Sequence, residues 1–238
     1  MKILAIDSSS TVRSVALCQQ VDDQIQVLAA AESPAERGGR FASLIEEVLG
    51  EISTAEVNQL VVGVGPGSAA GIRSTIAFAQ GWGTAMDIPV LGVSSAWAVA
   101  VEAGLIGLEG KLQVVLPGPA RMFYLGDFPS KLGTSLQPCS ALALVPKAEL
   151  LSNLKGTGFV VGAGVPFLFR PGPSDRDEVS GLQVKEVFPS ARALATLAGT
   201  GGRKAQLPLE PFSLITPSFV KAPPPRAIPP SAGVSDIS

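Results

Sequence analysis

A run of glycines between two short apolar stretches constrains this chain more than any other feature. Leu60 to Val64 is a β-branched run suited to a buried strand. Gly63, Gly65, Gly67 and Gly71 follow closely, with Pro66 inside the turn. Glycine tolerates positive φ and close backbone approach, so this turn is tight. Ser68 stands where a helix N-cap belongs, and the spacing predicts a helix from there to about Met86. Ile88-Pro89 stops it, and Val90 to Val93 is a second short strand. Strand, glycine turn, helix and strand make a βαβ unit of a parallel sheet.

The helix in that unit is apolar nearly all round. Ile72, Ile76, Ala79, Gly83 and Met86 share one face, while Phe78, Trp82 and Ala85 cover much of the rest. Only Arg73, Gln80 and Thr84 form a polar strip. Such a helix is expected to be buried on most sides. One reading is internal packing. The other is that the Ala79/Gly83 pair lets a partner helix approach closely.

Before this unit, Lys2 to Ile6 reads as a strand ending at Asp7, with the polar turn Ser8-Ser9-Ser10-Thr11 after it. Ser14 to Cys18 and Gln24 to Ala30 continue the meander, so a mixed sheet is expected. Residues 36–52 carry Phe41, Leu44, Ile45, Val48, Leu49 and Ile52 on one face of an amphipathic helix. A helix from Ser94 to Ala103 follows the central unit. Strands are expected over Leu112 to Leu116, Arg121 to Phe128 and Phe159 to Val161, and helices over Pro146 to Leu154 and Ser190 to Leu197. Residues 170–181 read as a polar loop. The expected organisation is a lobe over 1–104, a smaller one over 105–222, and a disordered proline-rich tail over 223–238.

Composition removes much chemistry. The 238 residues contain no histidine, which excludes Ser-His-Asp, Cys-His and His-metal mechanisms together. Cys18 and Cys139 make neither a disulfide framework nor a metal signature, so the reducing cytosol is the expected compartment. A net charge of −2 gives no general nucleic-acid footprint. No apolar run reaches the roughly 18 residues of a membrane span, and Met1-Lys2-Ile3 opens a strand without a signal peptide.

The remaining candidates are modest. Gly65-Pro66-Gly67-Ser68-Ala69-Ala70 fits the loose dinucleotide pattern G-x-G-x-x-A, yet the next strand ends in Ser94-Ser95 rather than a ribose-binding acid. No lysine follows the glycines as a phosphate-binding P-loop requires. Asp7, Ser8, Ser9, Gly65, Gly67, Ser68 and Arg73 are candidate nucleotide or anion contacts. For Asp7 the alternative is a turn cap made by its own carboxylate. No pair of carboxylates is poised for acid–base work.

Taken together, several of these stretches resemble one family. MKILAIDSSSTVRSVAL resembles the amino terminus of the TsaB (YeaZ) proteins, a strand, an I-D-[ST]-S turn and a return strand. VVGVGPGSAAGIRSTIAFAQGWGTAMDIPVLGVSS is similar to that family's G-P-G-S-F-T-G-[LI]-R signature, its helix and its closing G-V-S-S. The likeness is strong over residues 1–100 and thin beyond. Ala69-Ala70 replaces the usual Phe-Thr, and Gly39-Arg40-Phe41-Ala42-Ser43-Leu44 lacks the usual His and Glu of the first helix. Weaker echoes are Pro119-Ala120-Arg121, Pro189 with its alanine-rich helix, and Phe219-Val220-Lys221-Ala222-Pro223 as a last strand.

The resemblance implies an α/β, two-lobed fold of the actin/hexokinase-like ATPase superfamily, with ribonuclease H-like mixed sheets flanked by helices. It implies a non-catalytic, cytoplasmic subunit of the complex that installs threonylcarbamoyladenosine beside the tRNA anticodon. Its partner would be the paralogue TsaD, which holds the metal through histidines and transfers the group; a TsaE-like ATPase would be a further partner. Without TsaD a homodimer is implied, with tRNA met only through the complex. No intrinsic cofactor is implied, ATP or ADP being confined to the junction with the partner, and no metal. Helices 36–52 and 69–86 would supply the interface through Arg40, Phe41, Leu44, Ile45, Val48, Ile72, Ile76, Ala79 and Gly83. Two rivals stand beside this reading: a small ATPase or kinase of the same superfamily using Asp7, and a dinucleotide-dependent oxidoreductase.

Overall fold

The computed structural model describes residues 1–22, 24–35, 41–129, 141–154, 158–168, 182–199, 206–212 and 214. Arg40, the polar loop over 170–181, the last strand near Phe219 and the proline-rich tail lie outside the described residues.

The chain opens as a meander, β1 (Lys2–Asp7), β2 (Val12–Val21) and β3 (Gln24–Pro34), paired antiparallel in sequence order. β4 (Gln59–Gly63) then joins the other side of β1 in parallel, and β5 (Val90–Val93) pairs parallel to β4. This is the mixed sheet expected from a meander followed by a βαβ crossover. β11 (Gln206–Leu207) completes a six-stranded order β11-β5-β4-β1-β2-β3. A second sheet has the order β10-β9-β6-β7-β8, built from β6 (Lys111–Pro117), β7 (Met122–Pro129), β8 (Ala143–Pro146), β9 (Gly158–Val161) and β10 (Leu182–Lys185). The α/β class with two mixed sheets is therefore as expected. β8, β10 and β11, of four, four and two residues, were not expected from the sequence.

Alternation along the central strands explains how both faces of the first sheet are used. Leu4, Ile6, Val15, Leu17, Leu60, Val62 and Val64 point into one core, covered by α1 (Phe41–Leu49) and α2 (Ala69–Met86). Ile3, Ala5, Ala16, Cys18, Val61 and Val93 point into the other. That second core holds α3 (Ser95–Leu105) and α6 (Ala191–Gly199). α3 is the helix buried on nearly every side: Ser95 through Val101 are all buried, with Ala103. It lies between the sheets, and Trp97 meets Phe128 of β7 edge-to-face at a centroid distance of 4.9 Å. Small residues at Ala5, Ala16 and Cys18 let α6 sit close over β1 and β2. Although α6 and β11 follow the second sheet in the chain, both return to the first. The remaining helices, α4 (Lys147–Asn153) and α5 (Val165–Leu168), accompany the second sheet, whose far core contains Val115, Phe123, Leu150 and Val160. Among the described residues no helix is long and apolar enough to cross a membrane.

Candidate functional site

The candidate site forms where three segments of the sequence meet: the β1–β2 turn, the glycine turn before α2, and the start of α3. β1 delivers Asp7 at its end, where the strand hands over to a serine turn. The carboxylate is fully buried. The Ser9 N–H and Ser9 Oγ donate to its Oδ1 at 2.8 and 2.7 Å. Ser95 Oγ donates to its Oδ2 at 2.8 Å and accepts from the Gly65 N–H at 3.2 Å. The Ser95 N–H returns to the Gly65 carbonyl at 2.8 Å. Gly63 lies directly against this carboxylate: a Cβ built there would stand 1.8 Å from Asp7 Oδ2. Burial pushes the Asp7 carboxyl up to about 6, and its three donors hold it back only in part.

The glycine turn docks on the hairpin turn in the same way. The Ser68 N–H donates to the Ser9 carbonyl at 2.7 Å, and Ser68 Oγ caps α2 by accepting from the Gly71 N–H at 3.3 Å. This is the N-cap the sequence predicts. A Cβ on Gly71 would come within 2.0 Å of the Ser8 carbonyl oxygen, so the first turn of α2 packs against bare backbone. Asp7, Ser8, Ser9, Gly65, Gly67 and Ser68 thus lie together, and Ser8 Oγ is buried there without a hydrogen-bond partner. Arg73 is exposed, on the outward side of α2. The geometry explains Asp7 as the residue that locks two turns together, since each carboxylate oxygen is taken by a donor from this chain. Ser95 was missed from the sequence; its only signal was the second serine of Ser94-Ser95, which reads first as a helix cap.

The predicted interface residues require a correction. Leu44, Ile45 and Val48 of α1 are buried in the core of the first sheet, as are Ile72, Ile76 and Ala79 of α2. Ala79 is 0% exposed, and a Cβ on Gly83 would meet Val90 Cγ2 at 2.5 Å. These positions face the sheet, so they cannot also face a partner. The small residues admit β5 beneath the helix rather than a second helix above it. The expectation that α2 is buried on most sides also fails. Its outward side shows Ala70, Arg73, Ser74, Ala77, Gln80, Gly81, Thr84 and Ala85 to solvent. Alanine and glycine read as apolar in a sequence but expose little area, so leaving them open costs little. The outward side of α1 carries Ala42, Ser43, Glu46 and Glu47. Among the described residues α1 runs over Phe41–Leu49 and ends at Gly50 with φ +54°, short of the expected limit at 52; residues 36–40 and the side chain of Phe41 lie outside the description.

A second polar assembly, unseen in the sequence, ties α3 to α6. Arg192 donates from Nε to Glu102 Oε2 at 2.9 Å and from its second nitrogen to Oε1, while Ser190 Oγ also donates to Glu102. The Ala191 N–H donates to Ser14 Oγ of β2 at 3.0 Å. Residues 88 and 90 apart in sequence are joined here, beyond the reach of any local pattern.

Known proteins resemble the chain in two ways. Residues 38–155 match the family model described as TsaD: tRNA N6-adenosine threonylcarbamoyltransferase. Over 126 residues the chain is 32% identical to the tRNA threonylcarbamoyladenosine biosynthesis protein TsaB of Escherichia coli (strain K12). That alignment covers 51% of this chain and 52% of the relative, so it spans about half the length of the protein it matches. Among solved structures, YeaZ from Pseudomonas aeruginosa superposes with a TM-score of 0.70 at 22% identity, covering 90% of this chain and 99% of that one. A second structure, an uncharacterized protein with similarity to peptidase YEAZ from Pseudomonas aeruginosa, gives 0.69 at 22% identity with the same coverage. The fold of these structures is the fold of this chain.

Proposed function

With the chain's membership of the TsaB (YeaZ) family as premise, we propose that it is a non-catalytic subunit of the machinery that forms threonylcarbamoyladenosine in tRNA. Its work is to bind and support a TsaD-like paralogue, which carries out the transfer. Kinship to the TsaD-type model over residues 38–155 supports a pairing of related lobes, since paralogues offer each other similar surfaces. The outward side of α2, through Arg73, Ser74, Ala77, Gln80 and Gly81, is the contact surface in this reading. Ser74, Ala77 and Gly81 within it are short and let a partner helix approach closely at little entropic cost. A TsaE-like ATPase joins the same assembly, tRNA is met through the complex, and the chain works in the cytoplasm. Any ATP or ADP binds at the junction with the partner.

The observation that carries this reading is the condition of Asp7. A carboxylate that served a metal-bound phosphate would need access to solvent. Asp7 is 0% exposed and both its oxygens accept hydrogen bonds from Ser9 and Ser95. It supports the turns instead of addressing a substrate.

Reconstitution with the TsaD-like paralogue and a tRNA substrate tests the proposal. Modification is expected only when both proteins are present, and Asp7→Asn in this chain is expected to leave the rate of the folded complex within about twofold. Modification by this chain alone, or ATP turnover by it that Asp7→Ala abolishes, would overturn the reading in favour of a small ATPase or kinase.

A further inference from the structure

The turn between β6 and β7 holds two adjacent residues in a backbone region that neither favours. Among the described residues, four that are not glycine have positive φ: Asp22, Asp87, Ala120 and Arg121. An aspartate enters that region at small cost, because its short side chain can bond to nearby backbone. Alanine and arginine have no such compensation, and here they are consecutive, at φ +51° and +62°. The Met122 N–H donates to the Pro119 carbonyl at 2.9 Å, which makes Ala120 and Arg121 the centre of a mirror-image hairpin turn. Such turns favour asparagine, aspartate and glycine. A glycine at 121 would relieve the strain, yet the position carries a long cation. Strain of this kind persists only where the surroundings impose it, and it gathers where function needs a group held in place.

The surroundings do impose it. Pro119 fixes its own φ and has no N–H, so the Gly118 N–H donates to the Met122 carbonyl instead, at 2.8 Å. A Cβ built on Gly118 would meet Leu144 Cδ1 of β8 and the Met122 carbonyl oxygen at 3.0 Å, so the turn packs there without slack. On the exit side the Lys147 N–H donates to the Arg121 carbonyl at 3.3 Å, which seats the first residue of α4 beside the turn. Both cations are exposed, and neither has an ion pair or side-chain hydrogen bond among the described residues. Lys2 and Lys111, by contrast, meet Glu56 and Asp127. The acid nearest in sequence, Glu149, is two residues from Lys147 on α4, a spacing at which helical side chains do not face each other.

We propose that Arg121 on this turn and Lys147 beside it form a contact for the phosphate backbone of an RNA strand. The inference rests on the function given above, in which the chain works within a complex on tRNA. Two unpaired cations on fixed, neighbouring backbone suit a polyanion, whose phosphates need charge and position rather than a pocket. The arginine adds a planar fork able to bond one phosphate through two nitrogens. Contacts of this kind set where the RNA lies and read no sequence. Place separates the turn from the surface assigned to the paralogue. α2 covers the face of the first sheet that carries Leu4, Ile6 and Leu60, whereas the second sheet lies beyond α3 on the opposite face. A paralogue seated on α2 therefore leaves the turn to another partner. With a net charge of −2 on the whole chain, the contact is local and adds to binding by the complex.

Fluorescence anisotropy of tRNA with the assembled complex of this chain and its paralogue, across a salt series, tests this. The parent is compared with Arg121→Gln/Lys147→Gln, with Arg121→Gly, and with Lys185→Gln, an exposed cation on β10 at the opposite edge of the second sheet. The double variant should bind more weakly and lower the slope of log K against log salt by about 1.4–1.8, at about 0.7–0.9 for each phosphate contact. Lys185→Gln should leave the slope unchanged. Arg121→Gly should show about half of the slope change while melting no lower than the parent, since glycine accepts φ +62°. A double variant with parental affinity and slope overturns this proposal and leaves the proposed function standing; a parent complex that binds no tRNA overturns both. An equal change with Lys185→Gln reduces the effect to general charge, and the proposal fails. Loss of paralogue capture by the double variant in a pull-down means that the cations meet an acidic protein surface, which also overturns it. ATP is the other source of a phosphate: ATP binding by the parent complex that only the double variant loses assigns the site to a nucleotide, against the RNA.

Discussion

Asp7 shows how much one buried group can set. Its folded carboxyl is raised from 3.8 to about 6, because burial outweighs three hydrogen-bond donors. An acid raised in the folded state stabilises the fold below its unfolded value, and that contribution is lost as pH climbs through the folded value. Above pH 6 the shift corresponds to a penalty of roughly 3 kcal/mol. Asp7→Asn keeps acceptors for the Ser9 donors and never ionises, so it is expected to melt higher than the parent at pH 7.5. The advantage should shrink from pH 6 downward and vanish near pH 4, which thermal melts across that range will check. Gly71 gives a contrasting test of magnitudes. Alanine in a helix is worth about 1 kcal/mol over glycine, which favours Gly71→Ala. Against it stands the Ser8 carbonyl, 2.0 Å from the new Cβ, where backbone must move. Overpacking of this kind costs about 1–3 kcal/mol or more. The clash should win, and Gly71→Ala should lower the urea midpoint.

Among the helices, α2 illustrates what a sequence pattern can and cannot specify. Its limits, its Ser68 cap and its place between β4 and β5 were all legible, because strand period, glycine turn and helix period follow one another within 35 residues. The orientation of its faces was not. Alanines and glycines lie on both sides, so apolar periodicity alone could not say which side meets the sheet. The bulky residues settle it: Ile72 and Ile76 turn inward, while Phe78 and Trp82, in edge contact at 5.4 Å, are half-buried at the flank. An arginine scan of this helix should separate the two sides. Ala79→Arg is expected to unfold the protein, since it places a charge at a 0% exposed site. Ala77→Arg, on the open side, should leave the melting temperature within a few degrees and abolish capture of the TsaD-like paralogue. Far-ultraviolet circular dichroism and a pull-down read the two outcomes. The site was legible to the same degree. Asp7, Ser9, Gly65 and Ser68 came from local turn chemistry, whereas Ser95, Glu102 and Arg192 act across distances no local pattern encodes.

At the scale of the whole molecule, the two sheets share one apolar mass through α3, and the Glu102–Arg192 pair fastens α6 to it. Glu102 is largely buried but Arg192 is 42% exposed and Ser190 still donates to the carboxylate, so Arg192→Ala is expected to cost about 1–2 kcal/mol in a chemical denaturation curve. Local readings located most strands and helices of the second half but could not show that α6 and β11 cross back to the first sheet. That return bears on the order in which the protein is made. On the ribosome, β1 to β5 emerge first, yet the face of their sheet bearing Ile3, Ala5, Ala16 and Cys18 has no complete cover until Ala191–Gly199 has left the exit tunnel. The nascent amino-terminal half must wait, apolar side open, for nearly a hundred further residues to be added. Contacts so distant in sequence slow productive folding and lengthen exposure to aggregation. Released as a fragment, residues 1–105 should therefore bind a hydrophobic dye and be held by a chaperone, and adding the α6 segment as a separate peptide should reduce both.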